Sequence, residues 1–136
     1  MMRRFSVNKL IRDRIHNHMT QKGYRYTLQT YSKEEYRQRL GDKLLEEAGE
    51  VVRAIAQEEQ IAELADLCEV MDALCAEYGI TWEAVKAAQA EKRDRHGGYY
   101  HGVYVPFVDV PVEHPTLEYF TQQPDRYPEI ESKENG

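Results

Sequence analysis

Two pairs of carboxylates carry the chemistry this chain offers. Glu47 and Glu50 stand three residues apart, as do Glu63 and Asp66, and both pairs are embedded among apolar residues at helical intervals. Side chains at i and i+3 of a helix are neighbours, about 5–6 Å apart at Cβ, so each pair forms a two-carboxylate claw. Twelve residues separate Glu50 from Glu63, enough to finish one helix, turn, and start another antiparallel to it. The claws can then face each other. Four carboxylates in one cleft raise one another's pKa values unless a multivalent cation holds them ionised. Hard oxygen donors without His or Cys select Mg²⁺ or Mn²⁺, and the reaction class implied is metal-assisted attack of water on a phosphoanhydride.

The claws lie in an acidic run. From Asp42 to Glu77 there are eleven carboxylates against Lys43 and Arg53 alone. The plain alternative is a set of solvated helix faces, the usual fate of Glu in helices. Glu58, Glu59 and Glu77 are assigned to that class. Asp72 falls near an apolar face and is either the partner of a buried Arg or Lys or an outer metal ligand. The histidines lack ligand-like spacing: His16, His18, His101 and His114 are read as surface residues, and His96 as a loop residue beside a basic cluster.

Four helices are expected to position these groups. The first runs from Asn8, a plausible N-cap, to Lys22, with Gly23 as its stop and Leu10, Ile11, Ile15 and Met19 on one side. Its polar side carries Lys9, Arg12 and Arg14, read evenly as solvating groups or as anion binders. Tyr24 to Tyr31 alternates and is expected to be extended. Ser32 with Glu35 makes a capping box, which starts a second helix reaching about Gln57. On it Leu40, Leu44, Ala48, Val51, Val52 and Ile55 gather on one face, with Glu47 at the edge.

A third helix is expected from about Ile61 to Tyr78, closed by Gly79, with a main apolar face of Ile61, Leu64, Cys68, Met71, Leu74, Cys75 and Tyr78. Val70 and Ala73 widen the apolar surface on the side of Glu63 and Asp66. A helix apolar on most of its circumference is normally buried, and one chain with few helices cannot easily cover it alone. This predicts a dimer or higher oligomer. Thr81 caps a fourth helix through about Arg95, with Trp82, Val85 and Ala88 as its inward row. Beyond Gly97 and Gly98, YYHGVYVPFVDV reads as an extended arm or edge strand interrupted by Pro106 and Pro111. From Glu113 onward irregular structure is expected, with disorder at the last few residues.

The chain has 136 residues, the size of one compact domain. Its net charge of −6 argues against a nucleic-acid binder that works through general positive charge. Neither a secretory signal nor a membrane span is apparent, so a cytoplasmic protein is expected. Cys68 and Cys75, about 10 Å apart along one helix, are beyond disulfide reach and are read as core thiols.

The residues also resemble a family. KLLEEAGE (Lys43 to Glu50) followed by ELAD (Glu63 to Asp66) is similar to the EExxE and ExxD motifs of the all-α nucleoside triphosphate pyrophosphohydrolases, the MazG-like superfamily. NKLIRDRI (Asn8 to Ile15) and EKRDRHGGYYHGVYV (Glu91 to Val105) resemble the opening and closing segments of its phosphoribosyl-ATP pyrophosphohydrolase-like subgroup. The resemblance covers roughly residues 7 to 105. It implies an all-α helical bundle of about four helices per chain, assembled as an oligomer, a homodimer or homotetramer. The domain would span residues 1–105, with 106–136 as a partly irregular C-terminal extension. It further implies Mg²⁺-dependent cleavage of a nucleoside triphosphate between its α and β phosphates, giving a monophosphate and pyrophosphate.

Carried over residue by residue, Glu47, Glu50, Glu63 and Asp66 match the metal ligands. Glu46 matches the motif's extra Glu, a helper that supports the ligands or orients the water. Lys92, Arg93 and Arg95, with Arg12 as a further candidate, match basic positions suited to phosphates, and Gly97 and Gly98 would let their segment close over substrate. Phosphoribosyl-ATP is an alternative substrate. Of other classes, a di-iron bundle lacks its Glu-x-x-His pairs here. A non-enzymatic helical oligomer binding a basic protein stays open.

Overall fold

The structure is a computed structural model and describes residues 1–132. Among these the regular structure is entirely helical, in agreement with the all-α expectation, and comprises five helices: α1 Ile15–Gln21, α2 Lys33–Arg53, α3 Gln57–Tyr78, α4 Trp82–His96 and α5 Leu117–Thr121. The chain forms two compact units, Met1–Arg95 and His96–Gly136. No helix among the described residues is long and apolar enough to cross a membrane.

The α2–α3 hairpin organises the first unit. Its start is the capping box: Ser32 Oγ accepts from the Glu35 amide at 3.3 Å, while the Glu35 carboxylate accepts from the Ser32 amide at 3.4 Å. The end of α2 comes at Arg53, four residues earlier than the spacing suggests, because Ala54 turns to extended backbone. Gln57 to Gln60 join α3 instead of closing α2 or the turn. The reason is electrostatic, since this places Glu58 and Glu59 in the first turn of α3, where carboxylates oppose the positive end of the helix dipole. Only residues 54–56 connect the two helices. Gly79, at φ 66°, closes α3: its amide bonds Ala76 O, and the Ile80 amide bonds Cys75 O at 2.8 Å, a Schellman ending.

The two helices run antiparallel. Arg37 near the start of α2 meets Glu77 near the end of α3, whereas Glu47 further along α2 lies with Glu63 and Asp66 nearer the start of α3. Leu40 and Val70 are the buried apolar residues of the interface. The packed side of α3 is therefore the one shared by Val70, Ala73, Glu63 and Asp66. This corrects the expected main face in part: Met71, Leu74 and Cys75 are half-buried, but Ile61, Leu64, Cys68 and Tyr78 are exposed. On α2, Leu44, Ala48 and Val51 are half-buried, but Val52, and Ile55 in the connection beyond the helix, are exposed. Cys68 is thus no core thiol, and both cysteines are free.

Three further expectations change. The first helix begins at Ile15, not after Asn8, because Asn8 sits at φ 44° and donates from its side chain to Ser6 Oγ at 2.8 Å. Residues 8–14 instead form an irregular segment, while Gly23 at φ 78° does end α1. Tyr24 to Tyr31 forms no strand; no neighbouring strand exists among the described residues to satisfy an extended edge. Tyr26 instead bonds Thr20 of α1, and Tyr31 lies under the Arg39 guanidinium of α2. On α4, Thr81 Oγ1 caps the Ala84 amide at 3.2 Å as expected, but in the presumed inward row only Val85 is half-buried.

In the second unit YYHGVYVPFVDV forms no strand and is largely exposed. The stretch after Glu113, expected to be irregular, contains α5. Around it Tyr119, Phe120 and Tyr127 pack with ring centroids 5.1–5.7 Å apart. Tyr127 folds back onto the helix from beyond its end, and this packing explains why a five-residue helix persists there. The expected terminal disorder falls on residues 133–136, outside the described residues.

Candidate active site

The hairpin brings Glu47, Glu63 and Asp66 together. One oxygen from each lies within 4.8 Å of the others. Antiparallel packing does this, placing Glu47 of one claw opposite the whole of the other. Glu47 is the buried charged residue of the interface, only 8% exposed, while Glu63 and Asp66 are half-buried. Partial burial pushes the Glu63 carboxyl above the ordinary carboxylate range, and the charges of Asp66, Glu50, Glu47 and Glu59 push it further the same way. A cation among these oxygens would relieve that repulsion. The oxygen-only donor set fits a hard divalent cation.

Glu50, the fourth proposed ligand, stands apart from this trio and accepts from Arg53 Nη2 at 2.9 Å. It remains near enough for its charge to act on Glu63. Glu46 is held from two sides: Lys9 Nζ lies 3.5 Å from its Oε1, and Lys43 Nζ lies 3.3 and 3.4 Å from its two oxygens. Lys43 also reaches Glu47 at 3.3 Å. Arg12 Nη2 donates to Asp66 Oδ1 at 2.5 Å. The irregular segment 8–14 therefore spans both helices of the hairpin, through Lys9 to α2 and through Arg12 to α3. A small cleft bordered by Lys9, Arg39, Asp42, Lys43 and Glu46 lies between that segment and α2.

Lys92, Arg93 and Arg95 occupy the last turns of α4, all exposed. Among the described residues they form no ion pair with the α2 or α3 carboxylates, and Arg95 pairs within its own helix with Glu91 at 3.7 Å. Asp72 is exposed. Sequence reasoning did not bring Lys9 or Lys43 to the carboxylates. The i+3 and i+4 spacing of Lys43 to Glu46 and Glu47 was a usable signal. Lys9 contacts a residue 37 positions away, and no local pattern reports that.

Comparison with curated proteins and with solved structures gave no significant match. A family model described as phosphoribosyl-ATP pyrophosphohydrolase matches residues 7–93, which takes in the 8–14 segment, both claws and most of α4. These are the same residues that the fold assembles into the carboxylate cluster and its cations. The chain belongs to the phosphoribosyl-ATP pyrophosphohydrolase family, within the MazG-like all-α NTP pyrophosphohydrolase superfamily of metal-dependent enzymes that hydrolyse phosphoanhydride bonds.

Proposed function

We propose that this chain is a Mg²⁺-dependent nucleoside triphosphate pyrophosphohydrolase, releasing pyrophosphate and a nucleoside monophosphate. The observation that carries the reading is the convergence of Glu47, Glu63 and Asp66 within 4.8 Å, in a chain of this family. These three hold the cation, with Glu50 as a fourth carboxylate at the same end of the hairpin. The ion supplies a Lewis acid for the phosphate oxygens when bound. Glu46, fixed by Lys9 and Lys43, orients the attacking water and takes its proton. The new bond joins the water oxygen to the α phosphorus, the α–β bridging bond breaks, and its electron pair leaves on pyrophosphate. Lys92, Arg93, Arg95 and Arg12 supply positive charge for the phosphates.

Phosphoribosyl-ATP is the second reading, favoured by the description of the matched family. Both substrates present the same anhydride. Magnesium-dependent pyrophosphate release is expected from at least one member of a panel of nucleoside triphosphates and phosphoribosyl-ATP, and the preferred member decides between the readings. Glu47→Gln and Asp66→Asn are expected to lower kcat at least a hundredfold with helical circular dichroism kept. Full turnover by both variants would overturn the site, and inactivity of the wild type on every member would overturn the proposed substrates.

The same reading includes a homo-oligomer. Its support is apolar surface on the hairpin, where Leu45, Val52, Ile55, Ile61 and Leu64 are all exposed. A second copy covering that surface would border the carboxylate end of the hairpin.

A further inference from the structure

Asp66 already has a cation on it. Its Oδ1 accepts from Arg12 Nη2 at 2.5 Å, and Asp66 is one of the three carboxylates proposed to hold the metal. A guanidinium bonded to a carboxylate and a divalent ion on the same carboxylate are like charges only a few ångströms apart. Both side chains are partly open to water, 57% exposed for Arg12 and 38% for Asp66, so their electrostatics are those of a high-dielectric, salt-screened site. Repulsion there is moderate, large enough to change occupancy without forbidding it.

We propose that Arg12 competes with the divalent cation for Asp66 and so sets the metal concentration at which the site fills. This rests on the metal-site reading above and adds a residue that works against the metal. Three features of the chain support it. Arg12 belongs to an irregular segment, not to a helix, so it can swing off Asp66 without unwinding a turn. The same segment keeps a second tether, Lys9 on Glu46 at 3.5 Å, and Glu46 lies outside the three-carboxylate cluster. Release of Arg12 therefore leaves the segment attached to α2. Finally, Lys43 already sits 3.3 Å from Glu47, so with Arg12 in place the three carboxylates meet two positive charges before any ion arrives.

Competition has a sign opposite to that of simple structural support. Deleting a supporting residue loosens the carboxylates and weakens metal binding, whereas deleting a competitor strengthens it. Calorimetric titration of Mn²⁺ into the full chain, without nucleotide, reads the difference. Arg12→Gln is expected to bind Mn²⁺ roughly three- to tenfold more tightly than wild type, from charge repulsion over a few ångströms in a water-like dielectric. Arg12→Lys, which keeps the charge, should stay near wild type. Linkage is reciprocal, so melting curves give an independent check. Arg12→Gln should melt below wild type in a chelator, and the gap should close or reverse at saturating Mn²⁺.

Unchanged or weaker Mn²⁺ binding by Arg12→Gln overturns the competition, as does a melting gap that persists in Mn²⁺. If the wild type binds Mn²⁺ and Asp66→Asn does not, that failure touches Arg12 alone. Should Asp66→Asn bind as tightly as wild type, the metal site itself is misplaced and the competition falls with it.

Discussion

Glu63 carries the most legible electrostatic signature in the site. Its carboxyl is raised by partial burial and by four neighbouring carboxylates. The folded chain therefore holds a proton there more tightly than the unfolded chain does. Between the ordinary Glu pKa and the raised one, the native state binds more protons, so stability falls as pH rises through that window and levels off above it. Thermal melts in a chelator across this range should show the fall. Glu63→Gln should flatten it, and saturating Mn²⁺ should remove it by neutralising the same repulsion; an identical slope in the variant would sink the assignment. The claw residues could be found in the sequence because i, i+3 spacing survives into the helix. Which of them meet across the hairpin could not. Glu50 turned to Arg53 and left a trio, a choice made by side-chain partners one turn away.

At the scale of elements, the signals that worked were those with a local mechanism. Ser32 with Glu35, Thr81, Gly23 and Gly79 each mark a boundary that the structure keeps, since a cap or a left-handed residue acts on its own neighbours. Ser32→Ala should cost about 1 kcal/mol through loss of the capping bond. Gly79→Ala should cost about 1–2 kcal/mol because Ala is strained at φ 66°. Both are read as lower melting temperatures with unchanged helical circular dichroism. The signals that failed needed information from elsewhere in the chain. Asn8 looks like an N-cap, yet its segment is claimed by carboxylates of α2 and α3. The alternation in Tyr24 to Tyr31 finds no strand to pair with. The packed face of α3 also shifted, centring on Val70 with only Met71, Leu74 and Cys75 of the expected face half-buried, because a helix apolar nearly all round does not state which side meets its neighbour first.

At the scale of the whole molecule, the exposed apolar residues of the hairpin are the surface the proposed oligomer would cover. Replacing both Val52 and Leu64 on this surface by Glu should convert the assembly to monomers on sizing chromatography with light scattering. Retention of the wild-type mass by the Val52→Glu, Leu64→Glu double variant would exclude this surface as the interface. The second unit resisted sequence reading because its order comes from Tyr119, Phe120 and Tyr127 meeting one another, and aromatic residues in a proline-rich stretch announce no period.

The bridge of residues 54–56 has a mechanical consequence. Three extended residues reach at most about 10–11 Å, close to the 8–10 Å that separates the axes of packed helices. The carboxylates lie near that bridge, so their mutual repulsion is held by covalent bonds and cannot prise the helices apart at that end. The hairpin behaves as a pair of tongs pivoted at its charged end. Any splaying must appear at the free tips, where Arg37 closes them by pairing with Glu77 at 3.1 Å and lying over the Tyr78 ring at 4.7 Å.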